Sequence, residues 1–398
     1  MWNYLVYGRG WAVNLEQTAG HPAPLLQRKR VIMRPLSWKS VLNSLVSGRH
    51  LSADEAEWCM NDLMDGNADP VQVGAVLSMQ STLGLTSPEV EGAAKAMVGH
   101  AVPLKVRGDV TDIVGTGGDG AATVNLSTMG AIVAAAAGVR IVKHGNRAAS
   151  SKSGTADCLE QLGLPLDLPP HEVAAMADRY GITFVFAKTF HPAMRFAGPV
   201  RSSLGIPTVF NLLGPLTNPV NPRYVAIGCA QRQLSPMMAQ VYASRGQEGM
   251  VYTSVEGLDE MAPTGPVSIW EIHQGKVEER SFDPTRELGL DPVDLDDLRG
   301  GDPAFNASVV RDFLAGKSVP SRSTALLNAA SAIVADGTRI DAGPEADLSV
   351  RFAQAYQLAT EVVDQGRAAD LLAAWIHGAQ EAQSRCQQEE RTRRPVLV

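Results

Sequence analysis

Two glycine-rich loops constrain this chain more than any other feature. Gly115-Thr116-Gly117-Gly118-Asp119-Gly120 and Lys143-His144-Gly145-Asn146-Arg147 each follow an apolar, strand-like run and precede a helix-like run. Strand, loop and helix repeated in that order make an α/β fold, and both loops should open on the same edge of one mostly parallel sheet. Glycines at 115, 117, 118 and 120 carry no Cβ, so successive N–H groups can converge on an anion as a nest. A helix expected over about residues 128–137, capped by Asn125 or Ser127 and ended by Gly138, would turn its positive N-terminus toward the same anion. The second loop adds Lys143, His144, Asn146 and Arg147, followed by Ser150, Ser151, Ser153 and Thr155. Together they make a pocket for a phosphorylated ligand.

Common nucleotide motifs do not fit. The first loop lacks the Lys-Ser/Thr ending of a P-loop and has no glycine at the last position of the usual dinucleotide fingerprint. Asp259-Glu260 follows a plausible buried strand, yet adjacent carboxylates alone read as solvated loop acids. A single glycine-rich turn would likewise be an ordinary βα connection.

The run from Asp112 to Gly163, with His191-Pro192-Ala193-Met194, Asn211-Leu212-Leu213-Gly214-Pro215-Leu216-Thr217-Asn218-Pro219 and Asp259-Glu260, resembles anthranilate phosphoribosyltransferases from about Pro35 to Gly378. The resemblance implies transfer of a phosphoribosyl group from 5-phosphoribosyl 1-diphosphate (PRPP) to the amine of anthranilate, in tryptophan synthesis. It implies a small all-helical domain plus a large α/β domain of the nucleoside phosphorylase and phosphoribosyltransferase type, a homodimer joined through the small domain, and Mg²⁺, two ions with the diphosphate. By the same resemblance, Gly115, Gly118, Asp119, Thr123, Asn125, Leu126, Ser127, Thr128, Lys143, His144, Gly145, Asn146, Arg147, Ala148, Ala149, Ser150, Ser151 and Thr155 match the donor site. Gly115, Asn146 and Arg201 match positions that contact anthranilate, where a guanidinium can pair with the carboxylate through two charge-assisted bonds. Asp259, Glu260 and the Ser127 hydroxyl match the metal ligands, a set suited to a hard cation. After Glu260 the pattern departs, with Met261-Ala262-Pro263 replacing a leucine and a small hydroxyl residue. His144 is a candidate proton acceptor, with a ring contact or a loop-stabilising bond as the alternative.

Two rival functions share parts of this pattern. A pyrimidine nucleoside phosphorylase would have the fold but use inorganic phosphate, and the complete Lys143–Ser151 loop with Asp259-Glu260 favours a diphosphate donor. A non-catalytic nucleic-acid-binding relative is disfavoured by a net charge of −7 and by Arg201 and Asn146. The four scattered cysteines show no zinc or disulfide spacing, which suits a reducing cytoplasm, and no apolar run is long enough to span a membrane.

Along the chain, residues 1–32 are expected to be a flexible extension, 33–105 a small helical domain that also receives about 198–219, and 106–197 with 220–379 the large domain. Strands are predicted at Thr111–Val114, Val139–Val142, Thr183–Ala187, Tyr224–Cys229 and Met250–Thr253, with a hairpin about Gln274-Gly275-Lys276. C-terminal helices are predicted over 303–314, 323–336 and 349–378. Residues 380–398, rich in Gln, Glu and Arg, read as a frayed tail.

Overall fold

The computed structural model describes residues 36–148 and 151–393. The expected N-terminal extension, Ala149, Ser150 and residues 394–398 lie outside the described residues. Seven strands form one sheet: β1 (Thr111–Gly115), β2 (Ile141–Gly145), β3 (Ile182–Phe186), β4 (Tyr224–Gly228), β5 (Glu248–Ser254), β6 (Val267–His273) and β7 (Lys276–Phe282), in the order β3-β2-β1-β4-β5-β6-β7. The first five are parallel, and β6 runs antiparallel to both of its neighbours, β5 and β7. The parallel strands are near-continuous apolar runs because helices cover both faces; every residue of β3 is buried. β7 instead exposes Glu278, Glu279 and Arg280, charges that discourage pairing at a sheet edge. Its hairpin turns on Gln274 and Gly275, both at positive φ (49° and 75°), the backbone of a two-residue type I′ turn.

Chain order fixes where a ligand can sit. From β1 the chain moves outward to β2 and β3, then returns to the other side of β1 for β4. The crevice beyond the carboxyl ends of β1 and β4 is therefore the switch point of the sheet. Helix Leu126–Ala136 is buried along nearly all its length and packs against helix Arg322–Asp336, whose residues from Thr324 to Ala335 are all buried.

Helices Trp38–Val46, Ala53–Met64, Pro70–Leu83 and Ser87–Gly99 make the helical part. Ser52 and Glu55 form the capping box that opens the second of them. Helix Met194–Leu204 returns to pack on Ala53–Met64 and Pro70–Leu83, and buries Ala197 and Val200 with Met60, Leu63, Val73 and Leu77.

The C-terminal expectations need correction. The helix expected over 349–378 is two, Leu348–Asp364 and Arg367–Arg393, broken where Gly366 takes φ 74°. Nor does the chain fray after residue 380: the second helix continues to Arg393. Ala379 and Ala382 are buried, Gln380 Nε2 donates to Gly163 O (2.9 Å), and Arg385 pairs with Glu172 (3.2 Å). Polar composition concealed an apolar stripe one helical turn long. Among the described residues, no helix is long and apolar enough to cross a membrane.

Candidate active site

Gly115 and Gly228 are register partners at the tips of β1 and β4. A Cβ on Gly115 would lie 2.0 Å from Asp259 Oδ2, and one on Gly228 would lie 1.6 Å from the Asp259 carbonyl oxygen. Only bare strand tips leave room for Asp259-Glu260 to run across them. Asp259 Oδ2 accepts the Gly117 N–H (2.6 Å), and Glu260 Oε1 accepts the Thr123 hydroxyl (3.2 Å). Glu260 Oε2 is buried and, among the described residues, has no partner. Oxygens of Asp119, Asp259 and Glu260 all lie within 4.8 Å of one another. Burial, then repulsion from its acidic neighbours, raises each of Asp259 and Glu260 above the ordinary carboxylate range. Clustered hard oxygens, one of them orphaned, fit a hard divalent cation.

The departure at Met261 has a structural partner. Met261 and Ala262 are buried, and Asn328 of helix Arg322–Asp336 holds the Met261 backbone at both ends, accepting from its N–H (3.3 Å) and donating to its carbonyl (3.0 Å). The Ser254 hydroxyl donates to Glu260 O (2.6 Å). This loop is held by the core rather than by a hydroxyl of its own.

In the second loop, β2 runs through Gly145, so Lys143 and His144 are strand residues. Lys143 Nζ donates to Ile113 O (2.5 Å) and to Ser127 Oγ (3.1 Å), joining the two loops under the site. Burial lowers its pKa to about 8, against the attraction of Asp112, Asp259 and Glu260. Asp112 accepts the His144 N–H (3.1 Å) and Asn218 Nδ2 (2.9 Å), and Asn218 also donates to Val142 O (2.8 Å). Burial pushes Asp112 up to about 6.

His144 Nδ1 lies 2.9 Å from Gly214 O, so Nδ1 carries the proton and Nε2 keeps its lone pair. Its ring sits 5.1 Å from that of His191. Burial, then the neighbouring His191, lowers His144 to about 3, and burial lowers His191 to about 4. A ring so reluctant to protonate is a poor base. The same fact predicts a pH effect on stability. Below about pH 6.5 the unfolded chain binds a proton at this histidine that the native state refuses, so stability falls as pH drops toward 3. His144→Asn, which retains a donor for Gly214 O, should flatten the acid-side slope by about 1 kcal/mol per pH unit between roughly pH 4 and 6. Urea unfolding across that range measures it; a slope equal to that of the unsubstituted chain contradicts a buried neutral ring.

Arg147 does not stand free for a ligand: it clamps Asp157 and Glu160 (both 2.8 Å) and lies 5.6 Å from the Phe186 ring centroid. Asp157 Oδ2 accepts the N–H groups of Ala148 (2.9 Å) and Gly154 (3.0 Å), closing the loop ahead of helix Thr155–Leu162, whose first residue is Thr155. Asn146 Oδ1 accepts from the Arg147 N–H (2.8 Å), and Ser151 Oγ lies 3.4 Å from Ser153 O. Neither residue expected to cap helix Leu126–Ala136 does so. Asn125 occupies the cap position but turns its amide to Ser153 and Asn306, and Ser127 is engaged by Lys143. Leu126 and Thr128 are buried in the first turn, with Thr128 Oγ1 lacking a partner among the described residues. Gly118 is exposed at φ 85°, a backbone that favours glycine.

Arg201 lies in the last turn of helix Met194–Leu204, 5.0 Å from the Phe210 ring centroid, and burial lowers its pKa. Among the described residues it has no carboxylate partner, and it is outside the hydrogen-bonded set that unites the loops. Sequence reasoning missed Gly228, Asn218, Asn306 and Asn328 as supports, and missed Asp119 as a member of the carboxylate cluster. Asn328 had a signal, being a lone amide within the apolar helix Arg322–Asp336.

Two family models match in order: the glycosyl transferase family helical bundle domain over residues 39–101, and the glycosyl transferase family a/b domain over residues 107–369. An anthranilate phosphoribosyltransferase of Arthrobacter sp. (strain FB24) is 46% identical over 340 residues, spanning 85% of this chain and 95% of its own. That of Nocardia farcinica is 47% identical over 336 residues, 84% of this chain and 97% of its own. Among solved structures, the anthranilate phosphoribosyltransferase of Thermus thermophilus has a TM-score of 0.78 at 38% identity, covering 85% of this chain and 99% of its own. The Saccharomyces cerevisiae protein, solved in complex with PRPP and Mg, has a TM-score of 0.77 at 27% identity, covering 86% of this chain and 98% of its own. Matched through both its helical part and its α/β part, the chain belongs to the anthranilate phosphoribosyltransferase family.

Proposed function

We propose that this chain transfers the phosphoribosyl group of PRPP to the amine of anthranilate, giving N-(5-phosphoribosyl)anthranilate and diphosphate. The observation that carries the reading is the cluster of Asp119, Asp259 and Glu260 over two bare strand tips, in a chain of this family. As the C1–O bond breaks, its electron pair leaves with diphosphate and the arylamine nitrogen bonds to C1. An arylammonium is acidic enough to lose its proton to solvent or to the leaving group, so no strong base is required. That agrees with a neutral His144, which holds the Gly214 carbonyl instead.

The donor site proposed is the first loop, Gly115, Gly118, Asp119 and Thr123 with Asn125–Thr128, together with Thr155 and Lys143–Ser151, in which Arg147 would serve by bracing the loop through Asp157 and Glu160. Asp259, Glu260 and Ser127 would hold Mg²⁺, with Asp119 beside them. When bound, two such ions would neutralise charge building on the departing diphosphate. Lys143 orients Ser127 from below, while Gly115 acts by its small size, admitting Asp259. Anthranilate would lie toward Arg201, which is half-buried and has no counter-ion among the described residues, with Asn146 supplying an amide.

Arg201→Ala should weaken anthranilate by about 10- to 150-fold, the loss of bonds to a charged group worth roughly 1.5–3 kcal/mol, and should spare PRPP. Steady-state KM values for the two substrates check it; equal weakening removes Arg201 from the acceptor site. The activity itself is tested by the decay of anthranilate fluorescence with PRPP and Mg²⁺ present, each omitted in turn. No decay in the complete mixture overturns the reading. The proposed assembly is a homodimer through the helical part, where Val46, Val71 and Leu83 are exposed, and sedimentation velocity tests it. The proposed compartment is the cytoplasm, supported by four free thiols.

A further inference from the structure

Both donor loops are tied together by a residue that belongs to neither. Asn306 lies in the first turns of helix Pro303–Leu314 and is buried. Its Nδ2 donates to Asn125 Oδ1 (2.9 Å), and its Oδ1 accepts the Gly301 N–H (2.8 Å). Asn125 passes the link on: its Nδ2 donates to Ser153 O (3.3 Å), and its Oδ1 lies 3.4 Å from the Ser153 hydroxyl.

A strap of residues 298–301 lies along the first loop. Val124 N–H donates to Leu298 O (2.9 Å), Gly300 N–H donates to Ala122 O (2.8 Å), and Thr123 bridges Arg299. A Cβ at Gly300 would stand 2.5 Å from Thr123 O, so glycine sets this closeness. Asn306 thus holds the strap through Gly301, the first loop through Asn125, and the second loop through Asn125 and Ser153. Each end of its amide has a different task, one accepting from an N–H and one donating to an amide oxygen. Aspartate has the same shape but no donor, and its carboxylate would face the Asn125 oxygen.

We propose that Asn306 is a positioning residue for the PRPP site, acting through Asn125 to keep the two loops in register. The proposal rests on the reading of those loops as the donor site. The test is Asn306→Asp, with initial rates measured while each substrate is varied at saturation of the other, alongside thermal unfolding. Expected is a rise in KM for PRPP of about tenfold or more, because a buried acceptor loses its donor. KM for anthranilate should stay within about twofold, as it should when only one substrate's site is disturbed. An unchanged KM for PRPP, or an equal rise in both constants, overturns the proposal. Failure of the unsubstituted chain to consume PRPP overturns the donor reading instead, so the two failures are distinguishable. Should the variant not fold, hydrogen exchange on the unsubstituted chain decides: slower exchange at Gly301 and in the first turn of Pro303–Leu314 on adding PRPP with Mg²⁺ supports the link, and no change there overturns it.

Discussion

The double variant Asp259→Asn, Glu260→Gln is expected to lose about 10³-fold or more in kcat at every Mg²⁺ concentration, since a metal ion supplies several kcal/mol of charge stabilisation and each 1.36 kcal/mol is tenfold in rate. It is also expected to fold, and without metal to be the more stable form. In the native state both carboxyl groups are held above their ordinary range by burial and by acidic neighbours, with Glu260 Oε2 lacking a partner among the described residues. Between about pH 4, where the unfolded carboxyls ionise, and neutrality, the native state binds protons that the unfolded state has released. Stability of the metal-free chain therefore falls as pH rises through that window. The amides cannot ionise, so the variant should escape that fall. Added Mg²⁺ should raise the Tm of the unsubstituted chain most at the upper end of the window, and leave the variant unmoved. A double variant that turns over normally, or one whose Tm still responds to Mg²⁺, would place the metal elsewhere.

The fold was legible wherever a segment's own pattern decided its structure. The strand at Thr111–Val114 and the hairpin about Gly275 fall where the residues suggest, because a short strand-like run ended by glycine and the backbone of a turn are local properties. Legibility failed where distant partners decided. Lys143 and His144 look like loop residues, but Ile113 O, Ser127, Asp112 and Gly214 O satisfy them at the tip of a buried strand. The tail after residue 380 looks unstructured by composition, yet Ala379 and Ala382 supply enough of an apolar stripe to seat it. Asp259-Glu260 carries little meaning in isolation. Its meaning comes from the space above Gly115 and Gly228, which no spacing within one strand reveals. The family resemblance marked Asp259 and Glu260 as metal ligands but said nothing of Gly228, whose bare tip only the structure brings beneath them.

Those two glycines give the other large effect, and they should fail differently. Gly115→Ala puts a methyl group 2.0 Å from the Asp259 carboxylate, a side-chain end that can swing away at the cost of its bond to the Gly117 N–H. Displacing a positioned group by about 1 Å costs on the order of 10²-fold, so kcat should fall at least that far. Stability should fall less than in Gly228→Ala, the Asp259 carbonyl oxygen lying 3.1 Å from the added methyl. Gly228→Ala meets the Asp259 carbonyl at 1.6 Å, and that backbone is pinned: Asn328 holds the backbone of Met261, and the Ser254 hydroxyl holds Glu260 O. Nothing there can rotate out of the way. Overpacking of this kind costs typically about 1–3 kcal/mol and at times more, so Gly228→Ala should lower both stability and activity. Chemical denaturation and kcat measured on the two variants separate the cases. If Gly228→Ala proves as stable as the unsubstituted chain, the loop carrying Asp259 is freer than its hydrogen bonds imply, and the strand tips do not set the position of the carboxylates.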